Sequence, residues 1–219
     1  MSVARFGKVS LAALAAFSFA ACSSSSNGGG SGGGVAGAEN PMAELEEIAT
    51  RVDGYSFTRF DAVPTTGDAT FTGLGGVQIS DADGVVLSGM GDVSVTVDFG
   101  TEAVSGGLTN ITGYTGTAAE VAAATAAMDD TSDISGELSL SRGDIFTLRP
   151  NAFGVDYDGT LGADGYVVDG RALGEFKGTR SAGSTDFPIR AVQITDDDGV
   201  ATIGAETFDV EIGLFGETE

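Results

Sequence analysis

The chain contains no histidine. That absence removes serine and cysteine nucleophiles activated by an imidazole, histidine-ligated zinc, and the commonest acid–base group near neutral pH. Cys22 is the single cysteine, so no disulfide can close within the chain and packing alone must hold the fold. Cations are scarce, with ten Lys and Arg against thirty-two Asp and Glu in 219 residues. Beyond the first twenty-one residues there is no run of roughly eighteen apolar side chains, and hence no candidate transmembrane helix. Among enzymes this leaves carboxylate-only chemistry such as glycoside hydrolysis, which needs two acidic groups about 5–10 Å apart in a cleft.

What is present at the amino terminus is a leader. Arg5 and Lys8 precede an apolar stretch from Val9 to Ala21 that is too short to span a bilayer, the pattern of an export signal over residues 1–21. Cys22 follows Ala20-Ala21 and precedes a run of serines, as in a lipobox, with Phe19 where leucine is commoner. The reading is acylation at Cys22, where several chains hold a protein to a membrane far more firmly than one. The rival is cleavage after Ala20, leaving a free thiol. Residues 23–40, "SSSSNGGGSGGGVAGAEN", carry no apolar period and read as a flexible tether spanning on the order of 25 Å.

Without the leader, eight basic residues face thirty-two acidic ones, a net charge near −24. Such a surface repels nucleic acid and anionic headgroups, because it offers few cations to replace phosphate counterions. The acidity serves solubility in a salty exterior or attraction to a basic partner.

The folded part is expected over residues 41–219. Pro41 suits a first helical position after Asn40 as N-cap, and Met42, Leu45, Ile48 and Val52 recur near helical spacing, predicting a helix over 41–52. From Tyr55 to about 217 the period becomes two. "DVSVTVDFG" sets Val93, Val95, Val97 and Phe99 against Ser94, Thr96 and Asp98, and "ETFDVEIGLFG" sets Phe208, Val210, Ile212 and Leu214 against Asp209 and Glu211. Gly and Asp punctuate such runs every eight to twelve residues, which predicts an all-β barrel or sandwich of hairpins. Glycines inside strands, at 73, 106, 170 and 174, are expected to provide the bends of a closing barrel. One alanine-rich stretch interrupts the pattern: Thr117 with Glu120 forms a capping box, predicting a helix over 118–128.

"VQISDADGVV" (77–86) and "VQITDDDGVA" (192–201) share seven of ten positions. Their carboxylates suggest calcium, but glycine comes too early for an EF-hand loop, and Asp-Gly between alternating strands is a hairpin signal. Both are therefore expected to be turns, with no metal and no cofactor. "GLGG" (73–76) sits in a strand pattern and is no phosphate loop. Arg171, Lys177, Arg180 and Arg190 fall within twenty positions, forming either a local positive site or scattered solvated side chains.

Several stretches in order resemble the barrel of transferrin-binding-protein-B-like surface lipoproteins. "VPTTGDATFTGLGGV" (63–77) is similar to that barrel's opening, "GDVSVTVDFGTEAVSGGLTNI" (91–111) to its "DFgt…vsG.ltn" hairpin, "GRALGEFKGTRSAG" (170–183) to a late "G.l.G.F.G" strand and "EIGLFGE" (211–217) to its last strand. The resemblance implies an eight-stranded antiparallel up-and-down β-barrel with one or two accessory helices, displayed by a lipid anchor on an outer membrane. It further implies a module that captures host transferrin, another host protein or a haem-carrying protein through loops at one end of the barrel; the chain is expected to be a monomer and not an enzyme. Loops 113–133 and 178–187 are the candidates for that contact. A structural envelope lipoprotein without a small ligand is the alternative, and a carboxylate-only hydrolase the second.

Overall fold

A computed structural model describes residues 41–127, 130–178 and 189–218. The leader, Cys22, the tether, the Asn40 cap, Met128 and Arg180 lie outside the described residues. In chain order the elements are helix α1 (Pro41–Asp53), β1 (Ser56–Phe57), a 3-10 turn (Phe60–Ala62), β2 (Asp68–Asp81), β3 (Gly84–Asp98) and β4 (Ala103–Thr115). Helix α2 (Ala118–Ala127) follows, then β5 (Ser132–Asp133), β6 (Gly136–Phe146), β7 (Arg149–Leu161), β8 (Tyr166–Gly178), β9 (Ile189–Ile203) and β10 (Glu206–Glu217).

Eight of these strands close on themselves. Each of β2, β3, β4, β6, β7, β8, β9 and β10 pairs antiparallel with the next, and β10 returns to β2 through nine register pairs from Asp209↔Ser80 to Glu217↔Thr72. The two-residue strands β5 and β1 add to β4 and β8. Closure removes the open edge that an isolated sheet would present for aggregation.

The period of two explains why the sheet closes with a dry inside. Val93, Val95 and Val97 of β3 and Val210, Ile212 and Leu214 of β10 are buried, while Ser94, Asp209 and Glu211 are exposed. Phe71, Phe153, Tyr157 and Phe176 are fully buried and dominate the interior by volume. Phe153 and Phe176 meet with centroids 5.0 Å apart, and Phe176 touches Phe99 at 5.8 Å. Each such side chain contributes roughly 1.5–3 kcal/mol by leaving water, enough in sum to replace the missing disulfide.

The glycines act differently from the expectation. Gly106 does bend its strand: φ is +151° at a register shift between β4 and β6. Gly170 and Gly174 instead lie beneath aromatic rings. Gly170 pairs with Tyr157 and Gly174 with Phe153 across β7–β8, and a Cβ at either would fall on the partner ring. Here glycine makes space for a neighbour and imposes no unusual φ.

Both predicted helices form. α1 runs one residue past its predicted end and packs Leu45, Ile48 and Val52 against β2, β9 and β10. It is pinned at its last turn, where Arg51 Nη2 meets Glu217 Oε2 at 2.7 Å and the Tyr55 hydroxyl donates to Glu217 at 2.8 Å. α2 begins as its capping box requires, because the Thr117 N–H donates to Glu120 Oε2 at 2.9 Å and the Glu120 N–H reaches Thr117 Oγ1 at 3.4 Å. The Thr117 N–H and the Thr117 hydroxyl, which donates to the same Glu120 oxygen at 2.8 Å, hold the Glu120 carboxyl below its usual range. α2 lies against β3 and β4 with Val121 buried. Thr117→Ala is expected to cost the helix about 1 kcal/mol, read as roughly five-fold faster amide exchange across α2 and unchanged exchange in the barrel strands.

Candidate functional site

The paired decapeptides adopt two different structures. In the first, Asp81 Oδ1 accepts from the N–H groups of Asp83 (2.8 Å) and Gly84 (3.0 Å), closing the β2–β3 hairpin as expected. The second is not a turn. Asp196–Gly199 lies inside β9, and the hairpin comes later, between Ile203 and Glu206. The ladder to β10 skips from Gly199↔Val210 to Asp196↔Ile212, so the acidic run forms a β-bulge.

The bulge places a carboxylate in the wall where an apolar side chain would be ordinary. Asp196 is only 9% exposed, and its Oδ2 accepts the hydroxyl of fully buried Tyr157 at 2.6 Å. Gly199 and Gly170 leave room for that phenol, since a Cβ at either would collide with it. Burial pushes the Asp196 carboxyl up to about 6, its hydrogen bond with the Asp198 side chain adds to the rise, and the Tyr157 hydroxyl opposes it. Burial followed by the Asp196 hydrogen bond raises the Tyr157 phenol, so its proton stays on the phenol oxygen. Sequence reasoning missed this pair because Asp-Gly signals a turn locally. Strand length held the only clue, in a second turn candidate at Gly204 a few residues on.

The basic residues do not gather into one open positive site. Arg171, at mid-height on β8, reaches Asp156 at 2.6 Å and Asp144 at 2.9 Å, and Arg142 meets the other oxygen of Asp156 at 2.9 Å. Lys177 is buried at 3% exposure, with its Nζ 4.4 Å from the Phe57 ring centroid and 3.9 Å from Asp53. Arg190 is exposed at the start of β9, where its carbonyl accepts from the Thr218 N–H. Arg171 and Lys177 thus already have carboxylate partners within the chain.

Of the two predicted contact loops, only 113–133 falls largely within the described residues. Alternation of strand direction puts the β2–β3, β4–β6, β7–β8 and β9–β10 connections at one end, here termed upper. The β3–β4 and β6–β7 connections lie at the lower end with β1, Gly178 of β8, Ile189 of β9 and Glu217. Loop 113–133, carrying α2, is upper, whereas residues 179–187 of the second predicted loop lie outside the described residues. The upper rim also carries an edge-to-face pair, Tyr166 with Phe208, at 5.2 Å and 86°.

Among the described residues no group of three or more acidic or cysteine side chains is placed to hold a metal ion, and no helix is long and apolar enough to cross a membrane. No protein-family model and no curated protein matches the chain.

Proposed function

We propose that this chain is a lipid-anchored outer-membrane protein whose barrel is a binding module for a host or environmental protein, serving iron or haem acquisition. The carrying observation is the closed barrel interior. Its largest residues, Phe71, Phe153, Tyr157 and Phe176, are fully buried against one another and their neighbours, which favours recognition on the outside and rims. The lipobox-like setting of Cys22 and the ordered resemblance to transferrin-binding-protein-B-like lipoproteins support surface display and capture. Of the two ends, the upper one offers the larger connection, with α2 and the Tyr166–Phe208 pair beside three hairpin turns.

The experiment is a pull-down with the intact anchored protein from culture medium and host fluid, using iron-replete and iron-starved cells. A saturable protein partner, more abundant after iron starvation, is the expected result. Replacing 118–127 with a Gly-Ser segment should abolish capture and leave the barrel's thermal transition in place. No saturable partner, together with an envelope defect on deletion, would replace this reading with a structural one.

A further inference from the structure

One connection of the barrel is held far more lightly than the strands around it. From Asp53 to Thr70 the chain passes from α1 to β2, and Thr58 is the only buried residue on the way. Two register pairs, Ser56↔Gly178 and Phe57↔Lys177, join this stretch to β8, whereas ten join β7 to β8. Phe57 and Phe60 stay 54% and 55% exposed, and Val63 is only partly buried against the core. The stretch therefore removes little apolar surface from water to offset the entropy of fixing its backbone.

The polar groups it covers are poorly satisfied. Among the described residues three buried side-chain oxygens lack a hydrogen-bond partner, and two of them meet here. Thr58 Oγ1 is one, on a residue 1% exposed. Asn151 Oδ1 is the other. β7 pairs with β8 as far as Ala152↔Glu175, and at Asn151 the connection takes over, its Thr58 N–H donating to the Phe176 carbonyl at 2.9 Å. Lys177, the only lysine after residue 8, lies buried beside them. The Phe57 ring sits 4.4 Å over its Nζ, and its carboxylate partner Asp53 is 3.9 Å away, beyond hydrogen-bond range. Hydroxyl, amide and ammonium each give up hydration in this closed arrangement and regain it on opening. The buried Asp196 carboxyl differs, since it keeps the Tyr157 hydroxyl as donor.

We propose that residues 56–66 form a lid at the lower end, opening independently of the barrel to uncover Lys177 and the β8 edge at Phe176–Gly178. Both flanks are secured. The Tyr55 hydroxyl donates to Glu217 at 2.8 Å, and the Gly67 carbonyl accepts from the Phe99 N–H at 2.9 Å. Gly67 suits a turning point, because its φ is +85° and no atom lies within 4 Å of where its Cβ would be. Opening gives the barrel a free strand edge, which closure otherwise denies it. Neither an anchor nor a partner is needed for this motion.

Lys177 is a chemical reporter of the open state. In the chain from Cys22 onward it is the only lysine, so acetylation by an N-hydroxysuccinimide ester, mapped by peptide mass, reads its exposure. Hydrogen exchange at the Thr58 amide reads the same event. That amide is expected to exchange at least about a hundredfold faster than those of the β2–β10 ladder, at a rate insensitive to low urea, because little surface is exposed. Thr58→Val keeps the shape and removes the unpaired hydroxyl. It should slow Lys177 acetylation and exchange at residue 58 by about five- to tenfold, with the urea midpoint of the barrel no lower than the parent's. Phe57→Ser, which removes the ring over Lys177, should speed acetylation. Protection of the Thr58 amide equal to that of the β2–β10 ladder overturns the proposal, since the segment would then open only with the whole barrel. Unchanged or faster acetylation in Thr58→Val overturns it as well, since the hydroxyl would then be satisfied in the closed state.

Discussion

Alanine at Gly174 is expected to destabilise the barrel by about 3 kcal/mol or more, lowering the thermal midpoint by roughly 10 °C. The added methyl would occupy the space of the Phe153 ring, which lies directly over Gly174 on the neighbouring strand. Phe153 cannot swing aside cheaply, because it is fully buried and its other side meets Phe176 with centroids 5.0 Å apart. A double-mutant cycle isolates the cause. Phe153→Ala alone should cost about 3–5 kcal/mol, and adding Gly174→Ala to it should cost almost nothing, because the ring that blocked the methyl is gone. Gly76 serves as the control. A methyl there would meet Leu45 Cδ2 at 3.5 Å, an ordinary contact, so Gly76→Ala should stay within about 1 kcal/mol of the parent. Equal losses at Gly76 and Gly174 would show that backbone freedom, not ring contact, governs both positions.

The second large effect is on the pH dependence of stability. Asp196 binds its proton more tightly in the folded protein, where its carboxyl rises from 3.8 to about 6. Its contribution is therefore full below about pH 4, declines as pH rises, and is lost above about pH 6. The two-unit rise corresponds to about 3 kcal/mol. Asp196→Asn supplies a neutral group of similar shape that cannot lose a proton. At pH 7 the variant should be more stable than the parent by about 2 kcal/mol, and by pH 4 the two should converge. Urea denaturation at several pH values measures this difference, and subtraction cancels the carboxylates common to both proteins. Tyr157→Phe moves the balance the other way. It removes the 2.6 Å hydroxyl donor, leaves the buried carboxylate less satisfied, and should cost about 1–3 kcal/mol at pH 7. A pH profile of Asp196→Asn parallel to that of the parent would show that Asp196 is not the group that titrates.

These two sites mark the boundary of what could be read before folding. Alternation in β3 and β10 announced strands with one buried face, and the Thr117–Glu120 box announced α2 to within one residue of its end. Each depends on neighbours within one turn or one strand, and local steric and hydrogen-bond preferences act alike wherever such a segment sits. The absence of histidine and the cysteine count likewise constrain chemistry without reference to shape. Long-range relations were not legible in this way. Asp81–Gly84 and Asp196–Gly199 share the Asp-x-Asp-Gly pattern, yet one is a hairpin and the other a bulge within a fifteen-residue strand. Pairing of β9 with both β8 and β10 overrides the local turn preference, because ending the strand at Gly199 would leave the ladder to Phe208 and Asp209 unformed. The same cause separates Arg171, Lys177 and Arg190, near in sequence, into an ion-paired side chain on the wall, a buried ammonium and an exposed lower-end cation. Which carboxylate meets which cation, and which rim a loop joins, follows from strand register and closure, set by packing across the whole barrel.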